Sequence, residues 1–211
     1  MTDAPVPSPA IDPATLSLAL RERAGANKAD DSFAPVEPFE VDGPGGIKAW
    51  VAPAWYDLIG DLQLRLVRQE NAYVYTLHMV EQLDELKLTI DDAVSMALAN
   101  LRRQHGEPVA APWHNLHRVG SRDEDVSSVY FLDRAFWRQQ LAEHPDGLIV
   151  AVPRTDALLF APLADAAAVA SMREGVPGLH AGGGEHYRLS SALYLFKDDR
   201  WTVFQPAASV A

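Results

Sequence analysis

The sequence contains no cysteine. That absence removes disulfides, thiolate nucleophiles, iron–sulfur ligation and thiolate zinc sites together, and with them any redox chemistry by protein thiols. Positive charge is also scarce: 18 basic residues stand against 29 acidic ones, a formal net charge of −11. A field of that sign repels phosphate backbones and anionic lipid surfaces, so nucleic acid is not an expected partner. No apolar stretch approaches the roughly 20 residues of a membrane-spanning helix, and no membrane partner is expected either. Met1-Thr2-Asp3 opens with no basic segment and no apolar run, so a cytoplasmic location is the expectation. Catalytic signatures are missing as well. There is no H-E-x-x-H, no strained G-x-S-x-G turn and no phosphate loop ending in G-K-[ST].

What is present suffices for a substantial core. At 211 residues the chain fits one compact domain, or two small ones sharing an interior. Its first 44 residues hold seven of the fifteen prolines, which remove amide donors that helices and central strands need. Residues 1–44 therefore read as a largely disordered tail, interrupted by one short helix over about residues 13–24. There Asp12 is a cap, and Leu16, Leu20 and Ala24 repeat at helical spacing. Asp42-Gly43-Pro44-Gly45-Gly46 reads as the linker into a single folded domain over residues 45–206.

Within that domain, residues 47–52 and 61–67 alternate as half-buried strands do, and Tyr73, Tyr75 and Leu77 continue the pattern after a turn at Arg68-Gln69-Glu70-Asn71. The clearest helix follows, with Thr89 as cap, Asp91 and Asp92 in its first turn, Arg102 and Arg103 in its last, and Gly106 beyond. Ile90, Ala93, Val94, Ala97, Leu98 and Leu101 form its apolar stripe. Residues 107–121, with Pro108, Pro112 and Gly120, read as an irregular connection between two halves. A strand over 127–132, a helix capped by Asp133 and stopped at Pro145, an alanine-rich helix over 165–174, a glycine-rich loop and a final hairpin turning at Lys197-Asp198-Asp199-Arg200 complete the second half.

The most informative stretch is D-G-L-I-V-A-V-P-R-T-D-A-L-L-F-A-P, residues 146–162. Two short arms, 148–152 and 157–161, are apolar at nearly every position, which suits strands covered on both faces and central in their sheet. The loop Pro153-Arg154-Thr155-Asp156 must then surface at a sheet edge. Together these elements predict an α+β fold of mainly antiparallel sheets with hairpins, packed by two or three amphipathic helices.

Three segments carry a resemblance: I-D-D-A-V-S-M-A-L-A-N-L at 90–101, the G-L-I-V-A-V-P-R-T-D-A-L-L-F arm, and the closing hairpin with Trp201. They resemble the YtpQ-like group of uncharacterised bacterial proteins, in which a helix ending in A-x-x-N-L precedes a strand–proline–arginine/aspartate hairpin. The resemblance spans about residues 47–205. It departs from the group where Thr155 separates Arg154 from Asp156, and it implies an α+β fold with no assigned activity.

Arg154 and Asp156 sit on the loop of a rigid hairpin, a usual place for binding groups, although proline followed by aspartate is also ordinary turn chemistry. Asn100 interrupts an apolar stripe. It is either a binding group or a cap for a neighbouring backbone group. Two imidazoles three residues apart, His114 and His117, and a second pair, His180 and His186, flanking a glycine run, allow a metal site to be drawn. Their spacing is irregular, and neither metal nor cofactor is expected. Ser190 or Ser191 with His186 and Asp198 could be drawn as a triad but lacks the strained turn that presents such a serine. The expected function is a non-enzymatic binding or regulatory module, recognising a protein or peptide through an exposed sheet edge or the Arg154 loop. The competing expectation is a small hydrolase or metal-assisted enzyme using the His114/His117 and His180/His186 loops.

Overall fold

The computed structural model describes residues 12–69, 75–77, 79–122 and 124–207. In chain order the strands and α-helices are β1 (Leu16–Glu22), β2 (Ala34–Pro35), β3 (Phe39–Asp42), β4 (Lys48–Val51), β5 (Trp55–Asp57), β6 (Leu62–Gln69), β7 (Tyr75–Leu77), α1 (Val80–Glu85), α2 (Ile90–His105), β8 (Val109–Trp113), β9 (Leu116–Gly120), α3 (Arg134–Glu143), β10 (Leu148–Arg154), β11 (Ala157–Pro162), α4 (Ala166–Ala181), β12 (Leu193–Lys197) and β13 (Arg200–Gln205). The fold is α+β, and every named strand pair is antiparallel. Six strands form one sheet in the order β13-β12-β10-β11-β9-β8. A second sheet runs β1-β6-β5-β2 with β7 also on β6, and β3 and β4 form a separate arm.

The sequence alternation of the central hairpin is invisible because both its faces are buried. β10 and β11 occupy the middle of the six-stranded sheet. Leu148, Val150, Val152, Leu158 and Phe160 face the main core, while Ile149, Ala151, Leu159 and Ala161 face α4. At the centre of the main core Trp137 is fully buried. Its indole donates to the carbonyls of Tyr130 and Phe131 at 3.0 Å each, and its rings meet Phe160, Phe196 and Trp201. Leu16, Leu18 and Leu20 of β1 and Leu62, Leu64 and Leu66 of β6 belong to the same core.

Four expectations are corrected here. Residues 12–44 are not a tail. Asp12 does cap a turn, accepting from Ala14 N at 2.9 Å, but the turn is a short 3-10 helix, Pro13–Thr15, and β1 follows it. A repeat of four residues fits a strand as well as a helix, and Leu18 decides between them: 16, 18 and 20 share one face only at a period of two. Residues 1–11 lie outside the described residues. Second, residues 127–132 are not a strand but part of a 3-10 helix, Glu124–Leu132, whose residues 126–131 are all buried, so no period could be read. Third, 107–121 is a hairpin. Its strand β8 tolerates Pro112 because β8 is the edge of the sheet, where one amide row needs no partner. Fourth, α4 continues past Glu174 to Ala181 through Gly175, Pro177 and Gly178, held by burial of Val176 and His180 against poor local propensity.

The α2 helix has the expected caps, with Thr89 accepting from Asp92 N and Gly106 following its end. Its buried face is rotated from the expected stripe, however. Ala93, Val94, Ala97, Asn100 and Leu101 are buried, while Ile90 and Leu98 are half-buried. Asn100 is the reason. Its amide donates to the carbonyls of Pro13 and Leu16 at 2.9 Å each, and its oxygen accepts from Arg103 at 2.8 Å. Asn100 thus clasps β1 onto α2. Asn100→Ala removes the side-chain donor to the buried Leu16 carbonyl, while the Pro13 carbonyl keeps the Leu16 amide, and a loss of about 1–3 kcal/mol is the expected result in urea denaturation. A midpoint within error of the wild type would show that the clasp contributes nothing.

Candidate functional site

Six strands at about 4.8 Å spacing span some 24 Å, whereas one α-helix with its side chains covers only about 10 Å. A single helix, α4, packs on the outer face of this sheet, against β10 and β11. The outer faces of the flanking strands must therefore stay uncovered on at least one side. On the β9-β8 side the shortfall is a groove of about 420 Å³, bounded by Trp113, His114, Asn115 and Leu116 of the β8–β9 hairpin, Leu159 of β11, and Ser171, Met172, Gly175, Val176, Gly178 and Leu179 of α4. Its walls are mostly apolar. One polar tie crosses it, from the Asn115 amide to the Ser171 hydroxyl at 2.8 Å, and Ser171 also donates to the Ala167 carbonyl.

Two glycines of α4 open this groove. A Cβ built on Gly175 or on Gly178 would meet nothing within 4 Å. Packing does not require either glycine, and each costs helix stability of about 1 kcal/mol relative to alanine.

The groove runs on into a smaller cavity of about 140 Å³ lined by Trp113, Arg118, Arg154, Asp156, Ala157, Leu159 and Leu179. Register places Arg118 here. Leu116 and Arg118 are two apart on β9 and share its outer face, while His117 turns inward and stacks on Phe160. Arg154 and Asp156 end β10 and start the return to β11, and they form a bidentate pair at 3.0 and 2.9 Å. Arg118 donates to the Asp156 carbonyl at 3.2 Å. Arg188 lies opposite Arg154 in an isolated β-bridge, and both side-chain stems stand beside Gly183. The buried Arg188 Nε has no hydrogen-bond partner.

A larger cleft lies elsewhere. It measures about 770 Å³ between the loop at residues 31–33, α2 and the start of α3. Its arginines are already matched. Arg102 grips Asp133 at 2.5 to 2.9 Å, Arg134 pairs with Asp31 at 2.6 Å, and Arg138 with Asp199 at 2.8 and 2.9 Å. A ligand there would have to displace pairs that hold the fold together, so the cleft is a seam. The groove beside α4 is smaller but apolar with convergent cationic groups at one end, the usual character of a binding site.

A buried polar cluster escaped sequence reasoning. Gly60 has φ +59°, and a Cβ there would stand 2.9 Å from the Tyr194 ring; this close approach puts Asp61 beside β12. Ser190 donates to Asp61 at 2.5 Å and the Tyr194 hydroxyl does so at 2.9 Å. Burial pushes the Asp61 carboxyl above the usual carboxylate range, and those two bonds oppose the shift. The cluster joins the β5–β6 turn to the six-stranded sheet. Ser190 is fully buried and held by Asp61, whereas His186 is exposed and Asp198 sits in the β12–β13 turn, so the drawn triad is not assembled.

Of the residues singled out in the sequence, Arg154, Asp156 and His114 border one continuous groove. Asn100 does not, and its role is the clasp on β1. The other imidazoles are dispersed: His117 faces Phe160, and His180 lies 3.5 Å from Glu22. Among the described residues no group of three side chains is placed to hold a metal ion. Nor is any described helix long and apolar enough to cross a membrane. Arg118 and Arg188 were missed; the period-two spacing of Arg118 from Leu116 was the available signal for the first. No protein family, curated protein or solved structure matches the chain.

Proposed function

We propose that this protein is a non-enzymatic binding module that receives an extended peptide, or a projecting segment of a protein partner, in the groove between α4 and the β8–β9 hairpin. The observation that carries this reading is the pair of open glycines. Gly175 and Gly178 cost helix stability and relieve no clash, and what they provide is room above an apolar floor. The floor suits apolar side chains, and Trp113 supplies a rigid aromatic wall of the kind that anchors partners. A YtpQ-like kinship belongs to the same proposal and adds no activity to it.

The reading predicts that stability and binding separate. A Cβ at Gly178 meets nothing within 4 Å, so Gly178→Met extends over the groove and the melting midpoint should hold or rise. Peptides enriched from a random display library on the wild type should lose at least about tenfold in affinity for this variant, because the apolar contacts they use are occluded. Equal binding to both proteins would place the site elsewhere, and failure to enrich any peptide would remove the reading.

A further inference from the structure

We infer that Asp61, Ser190 and Tyr194 form a proton-controlled latch between the two sheets, shut while the Asp61 carboxyl is neutral and released as it ionises.

All three residues are buried, Asp61 at 3% exposure and the other two at 0%. Asp61 immediately precedes β6 of the second sheet, whereas Ser190 lies on the approach to β12 and Tyr194 within it. A single carboxyl oxygen, Oδ1, accepts both cross-sheet bonds, from Ser190 at 2.5 Å and from Tyr194 at 2.9 Å. Oδ2 is left to carry the proton. The Ser190 hydroxyl oxygen accepts in turn from the Ala192 amide at 3.0 Å, so the carboxyl and the chain entering β12 are held as one unit.

No cation balances this carboxyl. Among the described residues none forms an ion pair with Asp61, and the cations on the segments around it are engaged elsewhere: Arg23 with Asp57, Lys28 with Asp30, and His180 beside Glu22 at 3.5 Å. Arg188, two residues before Ser190, has its stem against Gly183. The charged neighbour that acts on Asp61 is Glu22 at the end of β1, and its sign is the same. An unpaired charge in the interior is costly, and a buried acid avoids it by keeping its proton. Burial accordingly raises the Asp61 carboxyl above the usual carboxylate range, with the two hydroxyl bonds pulling the other way.

The segment that the latch holds reaches beyond it. Ser190 donates its amide to the Val152 carbonyl and Leu189 to that of Pro153, and the Tyr187 carbonyl accepts from Thr155, so residues 187–190 run from the latch to the Arg154 loop. Carrying an ionised Asp61 to water draws the turn before β6 away from Tyr194 and removes one anchor of this segment. Because the shut state binds the proton more tightly than the open one, opening releases it. The latch is at full strength below the open-state value of about 4 and weakens as pH rises toward the shut-state value, by up to about tenfold in the opening constant per pH unit.

The test follows the full chain from about pH 3 to 8 by carbon NMR of its carboxyl groups and by amide hydrogen exchange corrected for intrinsic rates. One carboxyl resonance, missing from Asp61→Asn, is expected to titrate above the ordinary aspartate range. Exchange within residues 189–194 should accelerate with pH in the wild type and stay flat in Asp61→Asn, whose Oδ1 still accepts both hydroxyls. Tyr194→Phe removes a donor that favours the charged form and should move the midpoint upward, which also identifies the resonance if Asp61→Asn fails to fold. A midpoint at or below about 4 would overturn the latch. So would exchange profiles that run parallel in the wild type and Asp61→Asn, or wild-type exchange that slows as pH rises, since the ionised carboxylate would then be the form that holds the sheets.

Discussion

Removal of residues 12–22 is expected to leave no cooperatively folded protein. Leu16, Leu18 and Leu20 are 0%, 3% and 1% exposed, and each contributes about 2–3 kcal/mol through burial. The same deletion strips β6 of its ladder from Leu62 to Arg68 and takes away both carbonyls that Asn100 holds. Against a total stability of about 5–15 kcal/mol, losses of that size cannot be absorbed. Far-UV circular dichroism with a thermal scan decides it. A cooperative transition within a few degrees of the wild type would mean that β1 is dispensable, as the proline density of residues 1–44 alone suggests.

A loss of about 2–4 kcal/mol is expected for Asp133→Ala. The Asp133 side chain is 2% exposed and performs two tasks. It accepts from Phe136 N at 3.1 Å as the N-cap of α3, and it receives Arg102 from α2. Removing a cap typically costs about 1 kcal/mol, and losing the charged hydrogen bonds adds about 1.5–3 more, because Arg102, 31% exposed, then keeps only Glu107 at 3.3 Å. The proximity of Asp133 also favours the charged form of Arg102, which carries the same coupling from the other side. Asp133→Asn retains an acceptor for the cap and should fall between alanine and wild type in urea denaturation. Equal losses for alanine and asparagine would show that charge pairing with Arg102 is the whole effect.

The legibility of this fold followed where burial left a pattern. α2 was readable because Thr89, Asp91, Asp92 and Gly106 mark its ends independently of its stripe. The central hairpin was readable because uniform apolarity over five residues suits a doubly covered strand. The 3-10 helix Glu124–Leu132 defeated the same logic, since a buried run carries no period. Asn100 was visible as an oddity, and its partners were not, because they lie 84 and 87 residues away. The groove was unreadable for a related reason: the β8–β9 hairpin, β11 and α4 each supply a share of its lining. The Arg154 loop was found from its setting on a rigid hairpin, and its neighbours Arg118 and Arg188 required the register of two further segments.

The clasp between Asn100 and the first strand also constrains the order of assembly during synthesis. Leu16 leaves the ribosome 84 residues before the amide that holds its carbonyl. At about 5–20 residues per second, that interval lasts roughly 4–17 s. β6 is not complete until Gln69 and α2 not until His105, so the leucine face of β1 waits through most of that interval for its first partner, while β10–β11 and β12–β13 close over short separations as soon as they emerge. β1 therefore waits longer for its strand partner than β10 or β12 does, and during that wait its leucine face is open to aggregation and to chaperones.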